Sequence, residues 1–104
     1  MRDAAVFIEQ LEPNVQRKIL YNMTKAQYSN DPILFKKLNE HIWEFRTLYN
    51  RNYYRVFSFW ISSNPILPVV VSTHGIIKKS KKIEKKDLAK AQVSRLNYLE
   101  AKNT

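Results

Sequence analysis

The chain has 104 residues, 44% of them hydrophobic, which suits a single domain over residues 1–104 with a core of ordinary size. It contains no cysteine and two histidines, which excludes disulfides, thiol nucleophiles and cysteine metal sites, and leaves too few ligands for a typical zinc centre. The net charge of +9 favours a polyanionic partner: nucleic acid, the ribosome, an acidic protein or an anionic membrane surface.

Ala4, Phe7, Ile8 and Leu11 recur at i, i+3, i+4 and i+7 and predict a first helix, with Asp3 as its N-cap. Pro13 breaks that helix and suits the first turn of a second one. Val15, Ile19, Leu20 and Met23 mark the buried side of the second helix, which is expected to end near Tyr28. Ser29-Asn30-Asp31-Pro32 is a turn cluster, so the first thirty residues read as a helical hairpin.

From Ile42 the period shortens to about two, with Trp43, Phe45 and Thr47 alternating with Glu44, Arg46 and Leu48. Tyr53 to Ile61 is rich in aromatic and branched residues and predicts a second strand. Ser62-Ser63-Asn64-Pro65 is a turn, and Leu67 to Ile76 a third strand that tolerates Pro68 only near its start or on an edge. Glu84 to Tyr98 returns to helix, with Leu88, Ala91, Arg95, Leu96 and Leu99 along one side, and Glu100 to Thr104 is expected to fray. Short connections imply an antiparallel meander. The expected fold is α+β: an N-terminal helical hairpin, a three-stranded antiparallel sheet and a C-terminal helix, with helices on one sheet face and a site on the other. Trp43, Phe45, Phe57, Phe59 and Trp60 are assigned to the core. The longest apolar run, Ile66 to Val71, is far short of the roughly 20 residues a membrane span needs, and no secretory pattern opens the chain, so a cytoplasmic protein is expected.

Register decides whether Arg46 and Arg55 act together. A two-residue turn at Asn50-Arg51 and a four-residue loop from Tyr49 to Asn52 both place Arg46 opposite Arg55 on one face; a three-residue loop splits them. Two opposed arginines repel and invite an anion, although exposed strand arginines also simply solvate a sheet. Glu44 shares the face of Arg46 and either bridges an arginine or takes a proton. His74 titrates near neutrality or is a hydrogen-bonded structural residue, and Gly75 beside it suggests a bulge, a bend or a close backbone approach. Lys78, Lys79, Lys81, Lys82, Lys85 and Lys86 form a basic stretch that leads directly out of the strand carrying His74. It suits phosphate tracking or plain solvation. Tyr49, Tyr53 and Tyr54 either stack on bases or pack in the core. A single glycine rules out a Gly-rich phosphate loop, and no metal or cofactor is expected.

Four segments together resemble the RelE/HigB superfamily of bacterial toxins, nearest its phage-derived HigB-like branch. They are Ile42-Trp43-Glu44-Phe45-Arg46, Tyr54-Arg55-Val56-Phe57, His74-Gly75-Ile76-Ile77-Lys78-Lys79 and the basic C-terminal helix. The resemblance spans about Val15 to Leu99. It implies a RelE-like fold and the toxin of a type II toxin–antitoxin system, an endoribonuclease that cuts mRNA on the ribosome by 2′-OH attack without a metal. It further implies neutralisation by a cognate antitoxin, commonly a helix-turn-helix protein. Carried over, Arg46, Arg55 and His74, with Glu44, are the expected catalytic residues, and Lys78, Lys79, Lys81, Lys82 and Lys86 the expected RNA contacts. Two departures stand out. The edge strand that usually precedes the first helix has no counterpart before Asp3, so it is missing or the chain begins late, and Ile83-Glu84 replaces the usual Thr-Pro before the last helix. A non-catalytic ParE-like toxin that binds gyrase, and a basic RNA-binding module, are the competing functions.

Overall fold

The computed structural model describes residues 1–61, 69–80 and 82–102. The turn expected at Ser62 to Pro65, the strand start at Leu67-Pro68 and the contact assigned to Lys81 lie outside them. Helix α1 spans Arg2–Glu9 and α2 spans Pro13–Ala26, with Pro13 in the opening turn where its missing N–H is no loss. Asp3 is not the N-cap of α1: Met1 holds that position without a side-chain bond, and Asp3 lies in the first turn near the positive end of the helix dipole. On α2 the buried stripe is Val15, Ile19 and Asn22, while Leu20 faces out. Leu20 sits about 100° around the helix from Ile19, and the polar Asn22 takes its place in the stripe. Burial is tolerable because its amide donates to Thr47 Oγ1 at 3.1 Å.

Four strands form one antiparallel sheet in sequence order: β1 Phe35–Lys37, β2 Trp43–Tyr49, β3 Asn52–Ile61 and β4 Val69–Lys78. β1 is an addition to the three expected strands. It is too short to show a period, and its Phe35 ring stacks on Trp43 and Phe45 with centroids 4.8 and 4.3 Å away. The β2–β3 turn is the two-residue form. Asn50 and Arg51 have φ of 49° and 66°, the left-handed pair whose twist matches a tight hairpin. Tyr49 accordingly pairs with Asn52, and Arg46 with Arg55.

The helices do not share one face. Ala4, Val15 and Ile19 pack with Phe45, Tyr54 and Val56 on one side of the sheet. Helix α3, Lys85–Lys102, places Ala91 with Ile42, Phe57, Phe59 and Ile61 on the other. β3 explains the arrangement: it is apolar on both faces, and such a strand needs cover on both. The frayed end expected from Glu100 is helical through Lys102. Despite Ile83-Glu84, α3 starts cleanly, with the Glu84 carbonyl accepting from the N–H groups of Asp87 at 3.1 Å and Leu88 at 3.4 Å.

β4 carries a bulge. Phe57 pairs with His74 but Ser58 with Ser72, so Thr73 is the extra residue. The extra residue reverses the in–out phase and turns His74 onto the face of Phe57. It also sets Gly75 opposite Val56, facing α1. There a Cβ on Gly75 would lie 2.1 Å from the Phe7 ring, so the glycine is the seat on which α1 packs.

Candidate functional site

On the α3 face of the sheet, two cross-strand rows hold the residues that the sequence singles out. Glu44, Phe57 and His74 form one row, and Arg46, Arg55 and Ile76 the next. Glu44 and Arg46 stand two residues apart on β2, so both reach Arg55 diagonally or directly across.

The anion between the two arginines is Glu44 itself. Arg55 Nη1 donates to both its oxygens, at 2.8 and 3.0 Å, and Arg46 Nε lies 3.2 Å from Oε1. Arg55 Nη2 also donates to the Ser80 carbonyl at 3.2 Å, and its guanidinium lies over the Tyr53 ring at 5.4 Å. Glu44 and Arg55 are each 1% exposed, whereas the Arg46 side chain is 20% exposed. Of the salt-bridge and proton-acceptor roles open to Glu44, the structure displays the salt bridge. Arg46 is the member of the cluster that meets solvent.

The bond to Ser80 draws the basic segment over this cluster. Lys79, Lys82 and Lys86 are exposed, but Lys78 is turned inward. Its ammonium bonds the Glu84 carboxylate and lies 4.0 Å from Asp87 Oδ2, while Lys86 bridges Glu84 at 3.3 Å. These two ammonium groups hold the Glu84 carboxyl below its usual pKa. The structure thus gives Lys78 a helix-pinning role rather than a free surface.

His74 stands apart from Glu44 and Arg46. Two inter-strand steps, roughly 10 Å, separate its backbone from that of Glu44. The Phe57 ring lies between, stacked on the imidazole at 4.8 Å. His74 is 3% exposed. Thr73 Oγ1 donates to the Phe57 carbonyl at 3.3 Å and accepts from His74 Nδ1 at 3.0 Å, which leaves Nε2 buried without a hydrogen bond among the described residues. Burial pushes the pKa of His74 below 6.5, and Lys90 adds to this against the opposite pull of Asp87 and Asp3. His74 lies in the wall of a cavity of about 270 Å³ between α1 and α3, bounded by Arg2, Gln10 and Lys90 among others.

Asp87 and Thr73 were not visible as site neighbours in the sequence. Asp87 reads as a surface helix position until β4 packs against α3, and Thr73 as an ordinary strand residue until the bulge is seen. Trp60, assigned to the core, is 45% exposed, and Trp43 is half-buried. Both border a larger cleft on the opposite sheet face. There α2 stops at Ala26 and leaves the end of the sheet uncovered.

The family model for phage derived protein Gp49-like (DUF891) matches residues 6–95, which takes in every residue of both rows and most of α3. The chain belongs to this Gp49-like family. The family is associated with toxin–antitoxin systems. No curated protein and no solved structure gives a significant match to the chain. Among the described residues, no helix of this Gp49-like protein is long and apolar enough to cross a membrane.

Proposed function

We propose that the chain is the toxin of a type II toxin–antitoxin system and cleaves mRNA on the ribosome, in the cytoplasm, as the RelE/HigB resemblance implies. One observation supports the reading: the Arg55–Ser80 bond ties the lysine-rich end of β4 to the cluster in which Arg46 meets solvent, and Lys79 and Lys82, one and two residues from Ser80, are exposed. A phosphate backbone tracked by those lysines passes over Arg46, whose planar fork suits two phosphate oxygens. In the reaction the ribose 2′-oxygen bonds to the adjacent phosphorus and the bond to the 5′-oxygen breaks. The 2′-OH proton leaves to a base, and the departing 5′-oxygen gains one. Arg46 stabilises the charge that builds on the phosphate. Arg55 and Glu44 act through it as positioning residues, fixing its direction from beneath. His74 cannot touch RNA in this structure.

The burial of Glu44, Arg55 and His74 also favours a second reading, a non-catalytic toxin of the gyrase-binding kind, in which these groups only build the fold. Mapping of mRNA ends on translating ribosomes tests the first reading, and a supercoiling assay the second. New ends that vanish with Arg46→Ala support the ribonuclease. Inhibited supercoiling with intact mRNA supports the alternative. The partner in either case is an antitoxin encoded beside the chain. Failure of every neighbouring gene product to rescue growth counts against both.

A further inference from the structure

β1, the strand that no period announced, brings a cation to the Arg46 face. Phe35 fixes its phase, because the ring stacks on Trp43 and Phe45 on the α2 side of the sheet. Successive strand residues alternate in face, so Lys36 projects from the other side and Lys37 from the α2 side. The register agrees: Lys36 stands opposite Glu44 and Lys37 opposite Trp43. Lys36 thereby joins the row of Glu44, Phe57 and His74, and Arg46 is its diagonal neighbour, with side-chain stems about 7–8 Å apart. The charges on this face do not balance. Arg46, Arg55 and Lys36 meet a single carboxylate, and Glu44 already holds both arginines. Lys36 is exposed, and no ion pair holds it among the described residues. Helix α3 packs on β3 and β4. Leu48, two residues beyond Arg46 on the same face of β2 and opposite Tyr53, is 57% exposed.

We propose that Lys36 is a second phosphate-binding residue of this face, holding the phosphate next to the one at Arg46 on a single strand of RNA. The proposal deepens the ribonuclease reading and rests on it only for the identity of that RNA as mRNA. The chemistry is that of an electrostatic track. A cation on the edge strand continues the line of positive charge from Arg46 across β1, and the surplus charge is neutralised by consecutive phosphates. The separation of the two stems suits neighbouring phosphates of one chain. The exposed Leu48 beside Arg46 favours a single strand over a duplex, because only an unpaired base can leave its stack and lie on an apolar surface. Lysine keeps its charge on a flexible stem and fits a phosphate as a point charge, whereas the scissile group needs the fixed fork of arginine.

The two lysines of β1 control for each other, since they sit side by side on one edge strand and face opposite ways. A lysine on an edge also serves simply to discourage pairing with other chains, a role both would share. The full chain is titrated with a fluorescein-labelled oligouridine carrying 2′-O-methyl groups, which offers phosphates but no 2′-OH for attack, and anisotropy is followed across a salt series. Lys36→Gln is expected to lower the steepness of log K against log salt by about 0.7, a loss of about fivefold in affinity at 0.1 M salt. Lys37→Gln is expected to change neither, and Lys36→Arg to keep the contact. Adding Arg46→Gln to Lys36→Gln should bring the loss of steepness to about 1.4, one contact for each residue. The proposal is overturned if the wild-type chain does not bind the oligouridine, if Lys36→Gln leaves the salt slope unchanged, or if Lys37→Gln lowers it equally. It is overturned as well if binding of polyglutamate falls as much with Lys36→Gln as binding of the oligouridine. Ribosomal mRNA cleavage is measured separately on the same samples. A chain whose oligouridine binding depends on Lys36 but which cuts nothing upholds the phosphate site and defeats the ribonuclease. One that cuts mRNA while Lys36→Gln leaves binding intact does the reverse.

Discussion

Removing Glu44 is expected to cost far more stability than removing Arg46, although both belong to one cluster. Glu44→Ala strands the Arg55 guanidinium, 1% exposed, without the carboxylate that takes bonds of 2.8 and 3.0 Å. Breaking a buried pair in this way costs about 3–5 kcal/mol. Arg46→Ala removes one contact of 3.2 Å made by a partly exposed side chain. Solvent-screened pairs contribute about 1 kcal/mol or less. Against a total stability of roughly 5–15 kcal/mol, the first change takes a large share. At about 4–8 °C per kcal/mol for a domain of this size, it lowers Tm by some 12 °C or more. Urea unfolding of both variants, analysed with a shared m value, measures the difference. The double variant Glu44→Leu with Arg55→Met is the control. Apolar replacement of a whole buried pair is often nearly neutral, so the double change is expected to cost less than either single change. Equal losses for Glu44→Ala and Arg46→Ala, within about 0.5 kcal/mol, would refute the buried clamp and return Arg55 to the surface as a phosphate ligand.

Gly75→Ala is expected to destabilise by about 1–3 kcal/mol through overpacking, because the new methyl meets the Phe7 ring at 2.1 Å. Phe7→Leu in the same chain should recover part of that loss, and thermal melts of the three variants decide. His74 is held below its ordinary pKa of 6.5, so the fold favours neutral imidazole. Its contribution is complete above the unfolded value near 6.5 and is lost as pH falls through the lower folded value. His74→Phe, which keeps a ring against Phe57, is therefore expected to flatten the fall in stability on the acid side of neutrality. An unchanged pH profile would show that His74 is not buried neutral. Reversing Lys79, Lys82 and Lys86 to Glu is expected to weaken RNA binding and to lower the salt slope by about 0.7 for each lost phosphate contact on a single strand. Adding Lys78→Glu to that set should instead unsettle the start of α3, seen as a lower melting temperature, because Lys78 is bonded to Glu84.

What was legible in the sequence follows from how few registers it permits. Both even-numbered loops between β2 and β3 set Arg46 against Arg55, so that pairing did not depend on choosing the turn. The helical hairpin followed from Pro13 and an i, i+3, i+4 spacing that the helices keep, apart from the exchange of Leu20 for Asn22. The second covered face was implicit in β3, whose apolar residues do not alternate. The side of His74 was out of reach, since a one-residue bulge reverses the phase and its signature, a glycine two residues on, fixes no position. β1 is three residues long and shows no period. The inward turn of Lys78 depends on a tertiary contact with Glu84 that a run of lysines conceals. Glu44 as the counter-ion was within reach, since a buried arginine needs one and Glu44 lies on the same face.

The most direct test of the central claim is mRNA cleavage on purified translating ribosomes, comparing the wild-type chain with a folded Arg46→Ala variant. If Arg46 is the solvent-facing group that stabilises the scissile phosphate, cleavage falls by about 10²–10³ in rate while the variant stays folded at the assay temperature and antitoxin binding holds. Cleavage at the wild-type rate by Arg46→Ala, or no cleavage by the wild-type chain, would contradict it.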